Sequence, residues 1–178
     1  MNSVKYSWRH DNVLRHVESY IDKNKYSVYI DLKQKGEKVL TIPPDILVTT
    51  LIPDMVIIDK NEKSCDIFEL TCPAETRIDI AHELKMNKYA HFTSDIKYYK
   101  TKVTAFEIGS HTGLLTSDNK KRLSDMFRFC RKGLKKKTFL QNISAIVMLG
   151  SYHLFSCREE PKWNENTNPI LGPLKYNK

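Results

Sequence analysis

No two of the four cysteines stand at CxxC spacing, and no histidine follows any of them at the interval a zinc finger uses. Cys65, Cys72, Cys130 and Cys157 therefore read as buried or half-buried thiols in a reducing compartment. The chain also has no apolar run that can span a bilayer: its longest apolar window, Ile143 to Phe155, is short and broken by Ser, Gly and His. Met1 to Arg9 is polar and lacks the apolar core of a signal peptide. These absences point to an intracellular protein, nuclear or cytoplasmic. Internal repeats, low-complexity tracts and linkers are missing as well. One domain spanning 1–178 is expected, long enough for a sizeable core.

What the chain has is positive charge. Lys and Arg number 29 against 21 Asp and Glu, a net charge of +8, which favours an acidic partner such as nucleic acid. Charge alone does not separate nucleic acid from an acidic membrane surface. Apolar residues make up 40% of the chain and recur periodically, so it is globular rather than disordered.

The periodicity predicts a helix over Arg9–Ile21, with Val13, Leu14, Val17, Tyr20 and Ile21 on one face and Asp11 in its first turn. A strand follows at Tyr26–Leu32, then a turn at Lys33–Lys38 around Gly36, and Val39–Ile42 can pair back before Pro43-Pro44. Asp45–Leu51 fits no single pattern. Met55–Ile58 and Cys65–Cys72 read as a hairpin around the polar turn Asp59–Lys63, and Pro73 stops it. An amphipathic helix is expected over Ile78–Phe92, a strand over Val103–Ile108, a long basic helix over Asn119–Lys137 and a last helix over Phe139–Cys157. The order α-β-β-β-α-β-α-α predicts an α/β fold, a mixed sheet with helices on both faces.

Two acids break the apolar pattern. Asp54 stands at the lip of a strand whose next four residues are apolar, and Glu69 sits inside Ile67-Phe68-Glu69-Leu70-Thr71. A carboxylate there is costly unless it is paired, protonated or bound to a metal. The hairpin would bring both acids together, and a hard divalent cation with oxygen ligands is the common remedy for two such neighbours. On the following helix, a 100° wheel places Ala81, Leu84, Lys85, Lys88 and Phe92 on one stripe, so both lysines are expected to face the sheet. The plainer reading has each lysine snorkelling from the stripe's edge. Tyr89 lies beside them as a hydrogen-bonding accessory.

Pro53-Asp54, fourteen intervening residues, Glu69, and then Ala81-His82-x-x-Lys85-x-x-Lys88-Tyr89 together resemble the restriction-like endonuclease domain of site-specific non-LTR retrotransposons. That domain belongs to the PD-(D/E)xK nuclease superfamily. The resemblance covers a motif core of about 6–113, followed by a helical part at about 116–158 and a tail at 159–178. Ile52 stands where the family usually has Arg or Lys, and Thr71 where the wider superfamily has its lysine. Lys85 or Lys88 then takes that lysine's place. The resemblance implies a restriction-endonuclease-like sheet and metal-dependent hydrolysis of DNA. Asp54, Glu69 and the Leu70 carbonyl would hold Mg²⁺ or Mn²⁺. Lys85 would orient or deprotonate the attacking water, and Lys88 would steady the phosphate or the water network. Phosphodiester hydrolysis needs such a metal-activated water and positive charge around the phosphate. A full element protein also carries a reverse transcriptase and a zinc knuckle, so this chain reads as a fragment, a degenerate copy or a domesticated gene. Its partner would be DNA, structured or target-site, with no membrane. The alternative is a nucleic-acid-binding module of the same fold with a lapsed metal site.

Other residues carry weaker signals. Arg9 or His10 is a candidate DNA contact, and Glu18 a candidate accessory acid from the first helix. Asp66 is a second-choice ligand, on the opposite strand face from Glu69. Glu107, with Ser110, ends a strand and can reach the site or the DNA. Thr76 or Asp79 is expected to cap the helix that follows Glu75. Arg122, Arg128, Lys132 and Lys136 on the basic helix are candidate phosphate contacts, which position a duplex without reading its sequence. The same basic run also fits a nuclear localisation signal. A solvated basic face is the plainer account.

Overall fold

The computed structural model describes residues 3–32 and 41–157. The turn expected at Lys33–Lys38, the start of the Val39–Ile42 segment and the tail beyond Cys157 lie outside the described residues. The elements are α1 (Ser3–Tyr20), β1 (Ser27–Ile30), β2 (Met55–Asp59), β3 (Ser64–Thr71), α2 (Ile78–Tyr89), the single turn α3 (Phe92–Asp95), β4 (Lys100–Glu107), α4 (Ser117–Met126) and α5 (Lys136–Ser156). They form a mixed α/β fold with helices on both faces of a four-stranded sheet.

The sheet runs β1-β2-β3-β4. β2 pairs antiparallel with β1 and with β3, and β3 pairs parallel with β4, with Glu69 opposite Ala105 and Thr71 opposite Glu107. The hairpin turn is local chemistry: Asp59 Oδ1 accepts from the amides of Asn61 and Glu62 at 3.0 and 3.1 Å. Every residue of β2 is buried, which explains its unbroken apolar run. Met55, Ile57, Phe68, Leu70 and Phe106 face Val13, Leu14 and Val17 of α1, Leu123 of α4 and Phe139 and Ile143 of α5. On the other face Val56, Ile58 and Ile67 pack under Ile42, Tyr89, Phe92 and Ile96. Helices α1 and α5 approach closely at Gly150, where an added Cβ would stand 3.0 Å from Arg9 Cγ.

Three expectations are corrected. Helix α1 begins at Ser3, so Asp11 is mid-helix and fully buried rather than in a first turn. The helix expected over Asn119–Lys137 is broken. α4 ends at Met126, a 3-10 turn covers Phe127–Phe129, and Cys130 is extended and bridges Ile21. Gly133 then takes a φ of +89°, which no right-handed helix accommodates. The apolar stripe reads as one helix because Leu123, Met126, Phe127 and Leu134 do reach the core, but from α4, the 3-10 turn and the irregular connection before α5. Finally, α2 stops at Tyr89 and Phe92 belongs to α3. A wheel drawn through Phe92 crosses that break and is rotated, so Leu84, placed on the inner stripe, is 67% exposed while Tyr89 is fully buried.

Candidate active site

Asp54 and Glu69 meet where β2 begins and β3 ends. Asp54 lies one residue before β2, its carbonyl fixed by the Asp31 amide at 2.9 Å. Its Oδ2 accepts from the Leu70 amide at 2.8 Å, and its own amide donates to Glu69 Oε1 at 3.1 Å. Each side chain thus grips the backbone at the other's strand, and both are buried. Lys85, from α2, donates to Glu69 Oε2, and its Nζ lies 3.7 Å from Asp54 Oδ2. One ammonium therefore serves two buried carboxylates.

The electrostatics follow from that count. Burial, and then the neighbouring Asp54 charge, push the Glu69 carboxyl above its ordinary range, while Lys85 pulls it back. For Lys85, burial acts to lower the pKa, but Asp54 and Glu69 together outweigh it and raise it. The amine stays an ammonium. Beside it, burial and the Glu69 charge raise the phenol of Tyr89, which donates to the Ile52 carbonyl at 3.2 Å and remains neutral.

A fourth side chain completes the cluster. His10 Nε2 lies 3.1 Å from Asp54 Oδ2, and its Nδ1 lies 3.3 Å from Oδ1 of the buried Asp11. Neither residue was assigned to the acid pair from sequence. The signal was present: His10 precedes Val13 and Leu14 by three and four positions, on the core-facing stripe of α1. A cavity of about 300 Å³ opens onto this cluster, lined by Ser7, His10, Thr71 and Lys85 among others.

The remaining candidates are distributed differently. Lys88 does not face the sheet as expected; it is exposed, and its Nζ donates to Tyr89 Oη at 2.7 Å. The Leu70 carbonyl is on the useful side, because the adjacent Thr71 carbonyl accepts from the Ile108 amide, just past β4, and strand alternation turns Leu70 the other way, toward Asp54. Glu18 lies in the last turns of α1 and pairs with Lys23 at 2.8 Å, about 12 Å along the helix from His10. Arg9 is buried, donating to Ser151 Oγ and the Cys72 carbonyl at 2.6 and 3.1 Å. Glu107 is wholly buried in a separate cluster, 3.1 Å from both His82 Nδ1 and Arg122 NH1. Arg128 pairs at 2.5 Å with Asp66, on the other face of β3 from Glu69. Lys132 and Lys136 are exposed. No side chain caps α2; Glu75 forms part of a 3-10 turn there and binds elsewhere.

Among the described residues no three His, Cys, Asp or Glu side chains form a metal-holding group. Two carboxylates close enough to share the Lys85 ammonium, with a carbonyl on the same side, are nevertheless the hard oxygen set that Mg²⁺ and Mn²⁺ take, water supplying the rest. The donors fit such an ion. No described helix is long and apolar enough to cross a membrane. No protein-family model matches the chain, and no curated protein matches it.

Proposed function

We propose that the chain is a divalent-metal-dependent DNA endonuclease with a restriction-endonuclease-like fold, derived from a retrotransposon. The observation that carries this reading is the Lys85 ammonium shared between two buried carboxylates, Asp54 and Glu69, with Lys85 itself lining a cavity. Asp54, Glu69 and the Leu70 carbonyl would hold Mg²⁺ or Mn²⁺, which supplies a Lewis acid and a water acidic enough to attack phosphorus. Lys85 moves off the carboxylates toward the attacking water or the phosphate oxygens, and its positive charge offsets the charge that develops there. His10, held by Asp11 through Nδ1, places Nε2 3.1 Å from Asp54 Oδ2, beside the acid pair. Tyr89 anchors the Ile52 carbonyl just ahead of Pro53-Asp54, keeping that segment in register.

Supercoiled plasmid with Mg²⁺ or Mn²⁺ tests this directly. Nicking that chelation abolishes, and that Asp54→Ala and Glu69→Ala each lose, is the expected result. A second reading keeps the fold as a nucleic-acid-binding module whose metal site has lapsed. What favours it is the same ammonium, which already gives both acids a shared counter-charge. Salt-sensitive DNA binding with no cutting, unchanged by those substitutions, would select it.

A further inference from the structure

Glu75 opens the 3-10 turn between β3 and α2, yet its carboxylate turns away from α2. It reaches into the loop Gly109–Gly113 that follows β4. Oε1 accepts from the amides of His111 and Thr112 at 3.1 and 2.9 Å and from the Thr112 hydroxyl at 3.0 Å, while Oε2 lies 2.8 Å from His111 Nδ1. Two consecutive amides converging on one oxygen form an anion-binding nest. The other amides of the loop are used internally: Gly109 donates to Leu114, Ser110 to Pro73 and Gly113 to Gly109. Gly109 lets the carboxylate approach closely, because a Cβ there would stand 2.7 Å from Glu75 Oε1 and the Glu75 side chain would have to shift. Burial opposes the Glu75 charge, but the bonds from Thr112 and His111 hold its carboxyl down to about 2. The loop is built for negative charge.

We propose that the loop Gly109–Thr112 is a phosphate-binding site in which the Glu75 carboxylate stands in for the anion until a phosphate displaces it. A phosphate offers enough acceptor oxygens for both amides, the hydroxyl and the imidazole. Glu75 is a surface side chain with 26% of its area exposed, so it can swing out without opening the core. The loop leaves β4 at the end where β3 carries Glu69, and Ser110 is bonded to the Pro73 carbonyl just beyond that strand. That placement suits a phosphate of the nucleic-acid backbone, a source that rests on the nuclease reading above; free phosphate has the same chemistry.

The test titrates isotope-labelled protein in a chelator, first with inorganic phosphate and then with a short DNA duplex, and follows the amide signals of His111 and Thr112. Glu75→Gln is expected to bind phosphate about tenfold tighter than the native chain, equivalent to the loss of one competing charged contact. Glu83→Gln, which removes an equal charge from the exposed face of α2, gives no such gain. Adding Gly109→Ala to Glu75→Gln removes the gain at constant charge, since its methyl fills the anion's place. Glu75→Asp retains the charge but is too short to reach both amides, so it also gains affinity and serves if the Gln variant unfolds the loop. The proposal is overturned if Glu75→Gln binds no tighter than Glu83→Gln, or if the gain survives Gly109→Ala. Duplex that moves the same two amides supports the nucleic-acid source; phosphate that binds while duplex does not overturns that source in favour of free phosphate. Cleavage is never read, so a failed nuclease assay leaves each outcome interpretable.

Discussion

At the scale of single residues, Lys85 decides the state of the acid pair. Removing it leaves Asp54 and Glu69 buried without their shared counter-charge. Lys85→Met is expected to cut metal-dependent nicking at least about a hundredfold, as loss of a positioned charge commonly does. It should also lower stability, by about 1–3 kcal/mol once the partial exposure of Lys85 is allowed for. That loss should depend on pH in a defined sense. In the variant Glu69 rises still further above its ordinary 4.5, already raised by burial and by Asp54 in the native chain. A carboxyl whose folded pKa is raised stabilises the fold below its unfolded value and loses that contribution as pH climbs through the folded value. Urea denaturation should therefore show a smaller deficit at pH 4 than at pH 7, and an equal deficit at both would contradict the shared-ammonium account. Asp54, Glu69 and Lys85 were legible in the sequence because charge inside an apolar pattern stands out. For His10 the helical stripe shows an inward side chain, but its partner becomes visible only once Asp54, 44 positions on, folds beside it.

Among the elements, the hairpin was the most legible. Its two apolar runs and the Asp59 turn are set by residues near in sequence, so local rules suffice. The segment from Asn119 to Lys137 was not, because a distant partner determines it. The Tyr20 carbonyl accepts from the Arg131 amide at 2.9 Å, and the Asp22 amide donates to the Phe129 carbonyl at 2.9 Å. These bonds hold the chain extended where its helical stripe would have continued. Gly133 completes the break with a left-handed φ and open space around it, so a side chain there meets strain but no clash. Gly133→Ala should cost about 1 kcal/mol, read from the denaturant midpoint. A gain in stability would mean that the break is not held by its backbone geometry.

Across the whole molecule, the candidate site sits where the sheet changes its mode of pairing. On one side β3 joins β2 through a tight turn; on the other it joins β4 only after the long excursion 72–99, which carries Lys85. That arrangement has a consequence for the order of assembly. A short-range hairpin closes before a parallel pairing that must first gather a long loop. The two carboxylates therefore come together on the folding chain ahead of the ammonium that pairs with them. Ile57→Val, inside the hairpin, should mainly slow refolding in stopped-flow experiments, whereas Lys85→Met should mainly speed unfolding. The reverse pattern would place α2 in the nucleus. Until α2 docks, the hairpin holds two carboxylates at one strand end without the Lys85 ammonium, so the folding chain passes through a stage that carries the charge cost of the site before its counter-charge arrives.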